Sequence, residues 1–253
     1  MKLDKARILI TGSSGGIGAA LASALKAQGC DILLHGHTSK PILCGASSIQ
    51  ADLTTSSGRN AVIDAAKNFN INVLLNNAGI NQFSAFEQAD IEKIISVNVI
   101  APMKLTQGLL THLKGQPSGA IVNVGSAFGQ IGFPGYVAYC ASKHAVKGFA
   151  EALGRELADS SVRVQYISPR ATNTAMNDDA ARQLNVALGN SSDDPIVVAE
   201  RIVSALVKGE SRVQIGHTES LQVKVNSLFP SLVDTALKKQ LAAIKQHYTH
   251  ATD

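Results

Sequence analysis

Short apolar runs alternate with helical patterns along most of the chain. Seven runs rich in aliphatic residues predict β-strands at residues 7–11, 31–35, 48–52, 72–77, 120–125, 162–168 and 212–216. Between them, apolar residues recur at helical spacing, which predicts helices at about 17–28, 57–68, 90–114, 139–158 and 195–208. The strand runs are apolar on both faces, as parallel strands covered by helices must be. This alternation predicts an α/β fold, a doubly wound parallel sheet of about seven strands in one domain over residues 1–218.

Residues 219–253 carry two amphipathic helical patterns that extend the same domain. The first apolar stripe is formed by Leu221, Val225, Leu228 and Phe229. Pro230 suits the first position of a second helix, whose stripe is formed by Leu237, Leu241, Ile244 and Tyr248. The lysines of this segment, which lie off the stripes, are Lys224, Lys238, Lys239 and Lys245. We expect the extension to shape a substrate entrance or to dock on a partner or peripherally on a membrane. The alternative is that both stripes pack on the body or across a dimer.

Composition narrows the class of protein. Hydrophobic residues make up 45% of the chain and charged residues only 17%, which fits a globular protein with a sizeable core and argues against disorder. The net charge of +4 comes from scattered basic residues, and the chain has no Trp, so we expect no nucleic-acid binding. The three cysteines lack a CxxC spacing, which argues against a disulfide framework or a zinc site. The first residues lack a long apolar run, and the protein is expected to be cytoplasmic.

A glycine-rich segment, "TGSSGGIG", joins the first predicted strand to the first predicted helix. Ligands of such sheets sit beyond the carboxyl ends of the strands. Gly12, Gly16 and Gly18 would let the backbone approach a pyrophosphate, and the helix N-terminus would supply amide donors and positive potential. The alternative is a tight turn without a ligand, since such turns also favour glycine.

Four further polar features follow later in the chain. "NNAG" at 76–79 ends the fourth predicted strand, and Ser126 follows the fifth. Asn98 lies inside a predicted helix, where asparagine is unfavourable, so it is either exposed or placed for its side chain. Tyr139 and Lys143, in "YCASK", share a helix face, and a nearby ammonium group lowers the pKa of a phenol. Each feature alone also has a structural explanation as a turn, a helix cap or a solvated helix face.

Together, "TGSSGGIG", "NNAG", Asn98, Ser126 and "YCASK" resemble the short-chain dehydrogenase/reductase family in order and spacing. The resemblance covers roughly residues 5–216. It implies a Rossmann-type sheet, hydride transfer between a nicotinamide and a carbonyl or alcohol, and a homodimer or homotetramer built through the helices at about 90–114 and 139–158.

The resemblance also implies the catalytic roles. Tyr139 would protonate the substrate oxygen in reduction or deprotonate the alcohol in oxidation. Lys143 would lower the pKa of Tyr139 and hold the nicotinamide ribose. Ser126 would donate a hydrogen bond to the same substrate oxygen, and Asn98 would hold a water that links Lys143 to solvent.

The cofactor contacts that the resemblance implies lie along the strand ends. Asp52 would contact the adenine, with Leu53 beside it, and Thr174 would contact the carboxamide. The full set is Gly12, Ser14, Gly16, Ile17, Gly18, His37, Asp52, Leu53, Asn77, Ala78, Gly79, Tyr139, Lys143, Pro169, Thr172 and Thr174.

The chain departs from the family pattern in three segments of the cofactor region. Residues 35–50 leave little room for the helix that usually follows the second strand. Pro169-Arg170 stands where Pro-Gly is usual, which leaves the nicotinamide-side loop open. Gly15 replaces the basic residue that many NADP-dependent members carry in the glycine-rich turn.

The residues after the second strand bear on the choice of cofactor. An NAD-selective site places a carboxylate there to bind the ribose 2′-hydroxyl, and the chain has no acid between His35 and Ala51. His37, Thr38, Ser39 and Lys40 offer donors to a 2′-phosphate instead. NADP(H) is therefore the predicted cofactor, with NAD(H) as the alternative.

The sequence thus predicts an NADP(H)-dependent reductase of a ketone or secondary alcohol, of the carbonyl or 3-oxoacyl type. The alternatives are an NAD-dependent alcohol dehydrogenase, a lyase or epimerase, and a non-catalytic dinucleotide-sensing or scaffold protein. A sensor is less favoured because all four acid/base positions are present.

Two further groups of residues bear on the site. Phe128, Phe133 and Met176 are expected either to border the substrate pocket or to pack in the core. His35 and His37 lack a third metal ligand at a convincing spacing, and no metal site is expected.

Overall fold

The computed structural model describes residues 2–248, except for the side chain of His217. Within these residues, seven strands form one sheet in the order β3-β2-β1-β4-β5-β6-β7, and every neighbouring pair is parallel. The strands are β1 Arg7–Ile10, β2 Asp31–Gly36, β3 Ser47–Gln50, β4 Val73–Asn76, β5 Gly119–Val124, β6 Val162–Ser168 and β7 Arg212–Gln214. The predicted doubly wound parallel sheet is confirmed.

Helices cover both faces of this sheet. They are α1 Gly16–Ala27, α2 Ser56–Asn68, α3 Ile91–Ile95, α4 Ala101–Lys114, α5 Val137–Glu156, α6 Asp179–Ala187, α7 Pro195–Lys208, α8 His217–Leu228 and α9 Pro230–Gln246. A π-helical turn, Ser96–Ile100, joins α3 to α4. On one face α1 and α7 pack over Ile8 and Ile10, and on the other α2 and α4 pack over Leu9. Each fully buried aliphatic side chain of this kind stabilises the fold by about 1.5–3 kcal/mol relative to exposure.

Most differences from the predicted elements are one or two residues at the ends. The predicted strand at 48–52 ends at Gln50, because the Ala51 carbonyl accepts from His35 and Asp52 turns to bind Thr54. The strand at 212–216 ends at Gln214. As the short spacing indicated, residues 37–46 connect β2 to β3 without a helix.

Helix α6 was not predicted, because the segment around it is of mixed polarity. Asp178 caps its N-terminus, with Oδ1 accepting from the Ala181 amide at 2.8 Å. The buried side chains of α6 are Ala181 and Leu184, spaced three residues apart. An aspartate followed by this short apolar spacing was therefore the signal that the prediction missed.

The stretch Ile91–Lys114 is long and apolar enough by composition to cross a membrane. Its apolar side is accounted for by packing, because Leu105, Leu109 and Leu113 are fully buried in the cluster between α2, α4 and the sheet. This is the pattern of a core helix.

The apolar stripes of α8 and α9, the last two helices of the described chain, differ in how far they are buried. Pro230 is the first residue of α9, as expected. In α9, Ile244 is fully buried, and the Tyr248 ring beyond it meets Phe83 edge-on at 5.5 Å. In α8, by contrast, Leu221 and Leu228 point into solvent. The second stripe therefore packs on the body, whereas most of the first does not.

Candidate active site

A cavity of about 1230 Å³ lies at the carboxyl ends of the strands. It extends from the glycine-rich turn after β1 to the tail helices α8 and α9. It opens where the strand order reverses between β1 and β4, which is the place where open parallel sheets bind ligands. This cavity collects most of the residues that the sequence singled out.

The glycine-rich turn is built so that only glycine fits at its key positions. Gly12 and Gly16 have φ values of +66° and +53°. A Cβ on Gly12 would lie 2.7 Å from the Ala78 Cα, and one on Gly18 would lie 2.1 Å from the Gly12 carbonyl oxygen. The N-cap of α1 is Gly15, which has no side chain to bind the first amides of the helix. These N–H groups are therefore available to an anion such as a pyrophosphate, which fits a dinucleotide.

His35 holds this turn in place through hydrogen bonds of its ring, a role that the sequence did not indicate. Its buried ring accepts from the Gly12 amide at Nδ1 (3.3 Å) and donates from Nε2 to the Ala51 carbonyl (3.0 Å). This arrangement assigns the neutral Nε2–H tautomer, and burial lowers the pKa of His35 further from protonation. Among the described side chains, no group of three or more His, Cys, Asp or Glu is placed to bind a metal ion.

The "NNAG" segment is tied to the glycine-rich turn through Thr11, which sequence reasoning also missed. The Thr11 hydroxyl accepts from the Asn77 and Ala78 amides, each at 3.0 Å. The Asn77 side-chain amide donates in turn to the Thr11 and Gly12 carbonyls, each at 3.0 Å. Asn76, the first residue of the segment, is buried and donates to Asn123 at 3.1 Å, and it does not line the cavity.

Asn98 is buried in the π-helical turn, so the exposed alternative is wrong. Its Oδ1 accepts from the Ile80 amide at 2.9 Å, and its Nδ2 donates to the Ile80 carbonyl at 2.8 Å and to the Ser142 hydroxyl at 2.9 Å. It thus clamps the segment after β4 to α5. A Cβ on Gly79 would lie 3.3 Å from Asn98 Oδ1 and 3.4 Å from Lys143 Nζ, so the amide and the lysine flank the same glycine.

Ser126, Tyr139 and Lys143 meet on the cavity wall between β5 and α5. Ser126 caps the short turn Ala127–Gly129, and its hydroxyl is within hydrogen-bonding reach of the Tyr139 hydroxyl. Lys143 donates to the Val124 carbonyl at 3.1 Å, and its Nζ lies 5.7 Å from the centre of the Tyr139 ring. The predicted shared helix face therefore places the phenol and the ammonium group side by side.

Burial controls the ionisation of both groups. It raises the pKa of Tyr139 to about 12, opposed by the hydrogen bond with Ser126. It lowers the pKa of Lys143 to about 8. The expected lowering of the Tyr139 pKa by Lys143 is thus not found, because desolvation of the phenolate outweighs the other influences. At neutral pH Tyr139 is a protonated donor, and Lys143 is a cation close to its own deprotonation.

The cavity wall also brings together most of the expected cofactor contacts. Besides Tyr139 and Lys143, the expected residues that line it are Gly12, Ser14, Gly16, Ile17, His37, Asp52, Leu53, Asn77, Ala78, Gly79, Pro169, Thr172 and Thr174. Gly18 and Asn98 lie behind the wall rather than on it. The Asp52 carboxylate accepts from the Thr54 amide and hydroxyl at 2.8 and 2.7 Å, which lowers its pKa. His37 is exposed, with Nε2 3.8 Å from Asp52 Oδ1.

Arg170, which stands where the family pattern has a glycine, fixes the loop after β6 through its side chain. Arg170 Nη2 donates to Asp193 Oδ1 at 2.6 Å, and its Nη1 lies 3.7 Å from Glu219 Oε1 in the first turn of α8. The Arg170 carbonyl accepts from the Thr172 hydroxyl at 3.0 Å. The loop after β6 is therefore fixed both to the segment before α7 and to the tail.

The far end of the cavity combines aromatic and aliphatic side chains with polar ones such as Asn185, Gln222 and Gln240. Phe128 and Phe133 stack at 5.1 Å and both line it, and Tyr136 packs on them. Met176 lines it while remaining partly exposed. All three side chains therefore border the cavity, and Phe128 and Phe133 also pack against the core cluster that contains Leu184, so both interpretations apply to these two residues. The tail contributes further lining residues that the sequence did not assign, among them Val225, Leu232, Val233 and Leu237.

Comparison with known proteins identifies the family. Residues 6–185 match the family model described as short chain dehydrogenase. The chain is 32% identical to Nodulation protein G of Rhizobium sp. (strain N33) over 192 residues, which cover 70% of this chain and 77% of that protein.

Solved structures share the fold. A short chain dehydrogenase from Burkholderia cenocepacia in complex with NADP superposes with a TM-score of 0.81 at 21% identity, covering 94% of this chain and 99% of that chain. A short chain dehydrogenase/reductase from Burkholderia phymatum in complex with NAD gives 0.80 at 20% identity, covering 92% and 96%. The family match, the curated relative and the shared fold agree with the site geometry, and the chain belongs to the short chain dehydrogenases, a family of oxidoreductases.

Proposed function

We propose that the protein reduces a ketone to a secondary alcohol with NADPH, and that Tyr139 is the proton donor. The observation that carries this proposal is the meeting of Ser126, Tyr139 and Lys143 on one wall of the cavity that also contains the glycine-rich turn. Because the pKa of Tyr139 is raised to about 12, its hydroxyl is protonated at neutral pH, the state that reduction requires.

A nicotinamide dinucleotide, when bound, supplies the hydride. The chain's own groups then act on the ketone oxygen. Tyr139 Oη donates its proton as negative charge develops there, and the Ser126 hydroxyl donates a second hydrogen bond to the same oxygen. Lys143 Nζ, with a pKa of about 8, is suited to return a proton towards Tyr139. Asn98 holds the segment after β4 against α5, the helix that carries Lys143, through its hydrogen bonds to Ile80 and Ser142.

The preference for NADP(H) rests on the segment after β2. His37 lines the adenine end of the cavity, and no carboxylate occurs among residues 36–50. The nearest acid, Asp52, already binds Thr54 through its Oδ1. Imidazole, hydroxyl and ammonium donors at residues 37–40 suit a 2′-phosphate better than a bare ribose hydroxyl.

The character of the far wall favours an apolar ketone, such as a 3-oxoacyl thioester, over a sugar. The Phe128–Phe133 stack and Tyr136 line this region, and the tail adds Val225, Val233 and Leu237. Aromatic and aliphatic surfaces hold an acyl chain by removing it from water.

We also infer that the protein assembles as a homodimer or homotetramer through α4 and α5. Met103 of α4 and Val137 of α5 are 42% and 48% exposed, and Ile100 just before α4 is 39% exposed. Sedimentation equilibrium of the full chain and of a Met103→Glu/Val137→Glu variant tests the arrangement. The wild type should have the mass of a dimer or tetramer, and the variant a lower one; equal masses contradict it.

A substrate panel tests the reaction. Absorbance of the reduced nicotinamide is followed with 3-oxoacyl thioesters, aliphatic ketones and aromatic ketones, each with NADPH and with NADH. We expect turnover with NADPH, and a loss of about 10²–10⁴-fold in Tyr139→Phe, because that is the usual contribution of a general acid. Phenylalanine preserves the ring packing, so NADPH binding should persist.

Other outcomes have definite meanings. Near-normal turnover by Tyr139→Phe contradicts the assignment of the acid. Activity confined to alcohols with NAD⁺ identifies an alcohol dehydrogenase, and tight dinucleotide binding without turnover on the whole panel favours a sensor.

A further inference from the structure

We propose that the outward face of the tail helices docks on an anionic lipid bilayer. Four large apolar side chains project from this face: Leu221 (63% exposed), Leu228 (72%), Phe229 (58%) and Leu232 (61%). We call these four residues the α8–α9 patch. Leu221 and Leu228 are seven residues apart and lie on one side of α8, and Phe229 and Leu232 continue the patch over the turn into α9. Scattered single apolar residues are normal on a protein surface, but a continuous group marks an interaction site.

The patch is not needed to hold the tail in place. The opposite side of α9 already anchors the tail, because Ile244 is fully buried among Phe83, Tyr136 and Leu184. The Asn226 side chain also donates to the Gln130 carbonyl at 3.0 Å, which ties α8 to the body. The tail thus has an inner side that packs and an outer side that displays large apolar groups.

Charge on the same face indicates which partner fits. Lys224 is exposed and lies between Leu221 and Leu228 at helical spacing. Lys239 is exposed and lies two turns after Leu232 on the same side of α9. Of the two acids in these helices, Glu219 faces inward to Arg170, and Asp234 is exposed.

Apolar side chains flanked by lysines suit the interface of an anionic bilayer, where the rings and aliphatic groups enter the acyl region and the ammonium groups reach the headgroups. A second copy of the chain is a poorer partner. Among the described residues of α8 and α9, the exposed charged side chains are four lysines and one aspartate, so a second copy of this surface offers mainly like charge, whereas an anionic bilayer offers opposite charge.

The patch also adjoins the cavity. Leu232 belongs to both, and Val233 and Val225 beside it line the cavity. Docking through the patch would therefore bring the tail side of the cavity to the membrane surface. This consequence rests on the proposed reduction of an apolar ketone. The docking itself does not depend on that proposal.

Vesicle co-sedimentation of the full chain tests the docking. The vesicles contain phosphatidylcholine alone, or equal parts of phosphatidylcholine and phosphatidylglycerol. We expect the wild type to sediment with the anionic vesicles, and to do so less at high salt, because screening weakens the attraction of the lysines. Leu228→Ser/Phe229→Ser and Lys224→Gln/Lys239→Gln should each lower the partition coefficient by about 10-fold or more. Ile42→Ser, which removes a 96% exposed isoleucine outside the patch, should leave it unchanged.

Three results overturn the proposal: no sedimentation of the wild type, equal sedimentation of the patch variants and the Ile42→Ser control, or a patch variant whose only effect is a lower mass in sedimentation equilibrium. The last result would assign the patch to a second copy. Circular dichroism checks folding, and if the serine variant does not fold, the lysine variant decides the question. Turnover of a water-soluble ketone without vesicles is measured separately, so that a failure of the proposed reaction leaves the docking result standing.

Discussion

The guanidinium group of Arg170 and the carboxylate of Asp193 close the ends of one loop, with Nη2 and Oδ1 2.6 Å apart. Arg170 follows β6 by two residues, and Asp193 precedes α7 by two, so the pair spans the segment that carries α6. Their side chains are only 24% and 14% exposed. The chain therefore uses an ion pair to fix the cavity loop at a position where the family pattern has a glycine.

A double-mutant cycle measures this pair. We expect Arg170→Met and Asp193→Asn to show a coupling free energy of about 1–3 kcal/mol in urea unfolding, between the values typical of exposed and buried pairs. The matched control is Arg182 with Asp179, an exposed pair on α6, for which the same substitutions should give a coupling below about 1 kcal/mol. Equal coupling at the two sites would show that the Arg170 pair does not hold the loop.

A second prediction concerns pH and Lys143. Burial lowers its pKa from 10.5 to about 8 in the folded chain. Between these values the unfolded chain holds a proton on this lysine that the native chain does not, so the contribution of Lys143 to the free energy of unfolding rises with pH across the window. Below pH 8 both states are charged, and the unfavourable contribution stays constant.

The measurement compares the wild type with Lys143→Met between pH 7.5 and 10. The free energy of unfolding of the wild type minus that of the variant should rise by about 2 kcal/mol. Cys30, Cys140 and Tyr139 have raised pKa values and act in the opposite direction, but they are common to both proteins and largely cancel in the difference. A difference that stays flat over this range contradicts the lowered pKa.

The sequence was sufficient to predict the sheet, because its strands are apolar on both faces and its helices are strongly periodic. The spacing of Tyr139 and Lys143 also correctly placed them together, since two residues four apart on a helix share a face whatever surrounds them. Other features of the site depended on tertiary contacts. The direction of the Tyr139 pKa shift depends on how deeply α5 is buried, and the role of His35 on two backbone groups distant in sequence.

The partners of Arg170 were equally hidden, because Asp193 and Glu219 lie 23 and 49 residues further along the chain. The tail shows the same limit. Its amphipathic helices were readable from periodicity, but periodicity does not say which apolar stripe packs on the body and which remains exposed.

A third prediction concerns cofactor choice. His37→Asp should lower the affinity for NADPH relative to NADH by about 10-fold or more, because a carboxylate there repels a 2′-phosphate and accepts from a ribose hydroxyl. Fluorescence titration with both reduced cofactors measures the ratio. His37→Asn, which is uncharged and similar in size to Asp, is the control and should keep most of the preference. An unchanged ratio in His37→Asp would place the 2′-phosphate elsewhere.

The last prediction concerns Ile244, whose fully buried side chain anchors α9 in the cluster that also contains Tyr139 and Leu184. Ile244→Ala should lower the free energy of unfolding by about 2–4 kcal/mol, through lost burial and the cavity left behind. It should also raise the KM for a ketone while leaving the Kd of NADPH unchanged, because α9 lines the far end of the cavity and not the glycine-rich turn. Leu232→Ala, an exposed leucine on the same helix, is the matched control for stability and should change it little. If Ile244→Ala weakens NADPH binding as much as ketone binding, the tail supports the whole fold rather than the substrate end of the site.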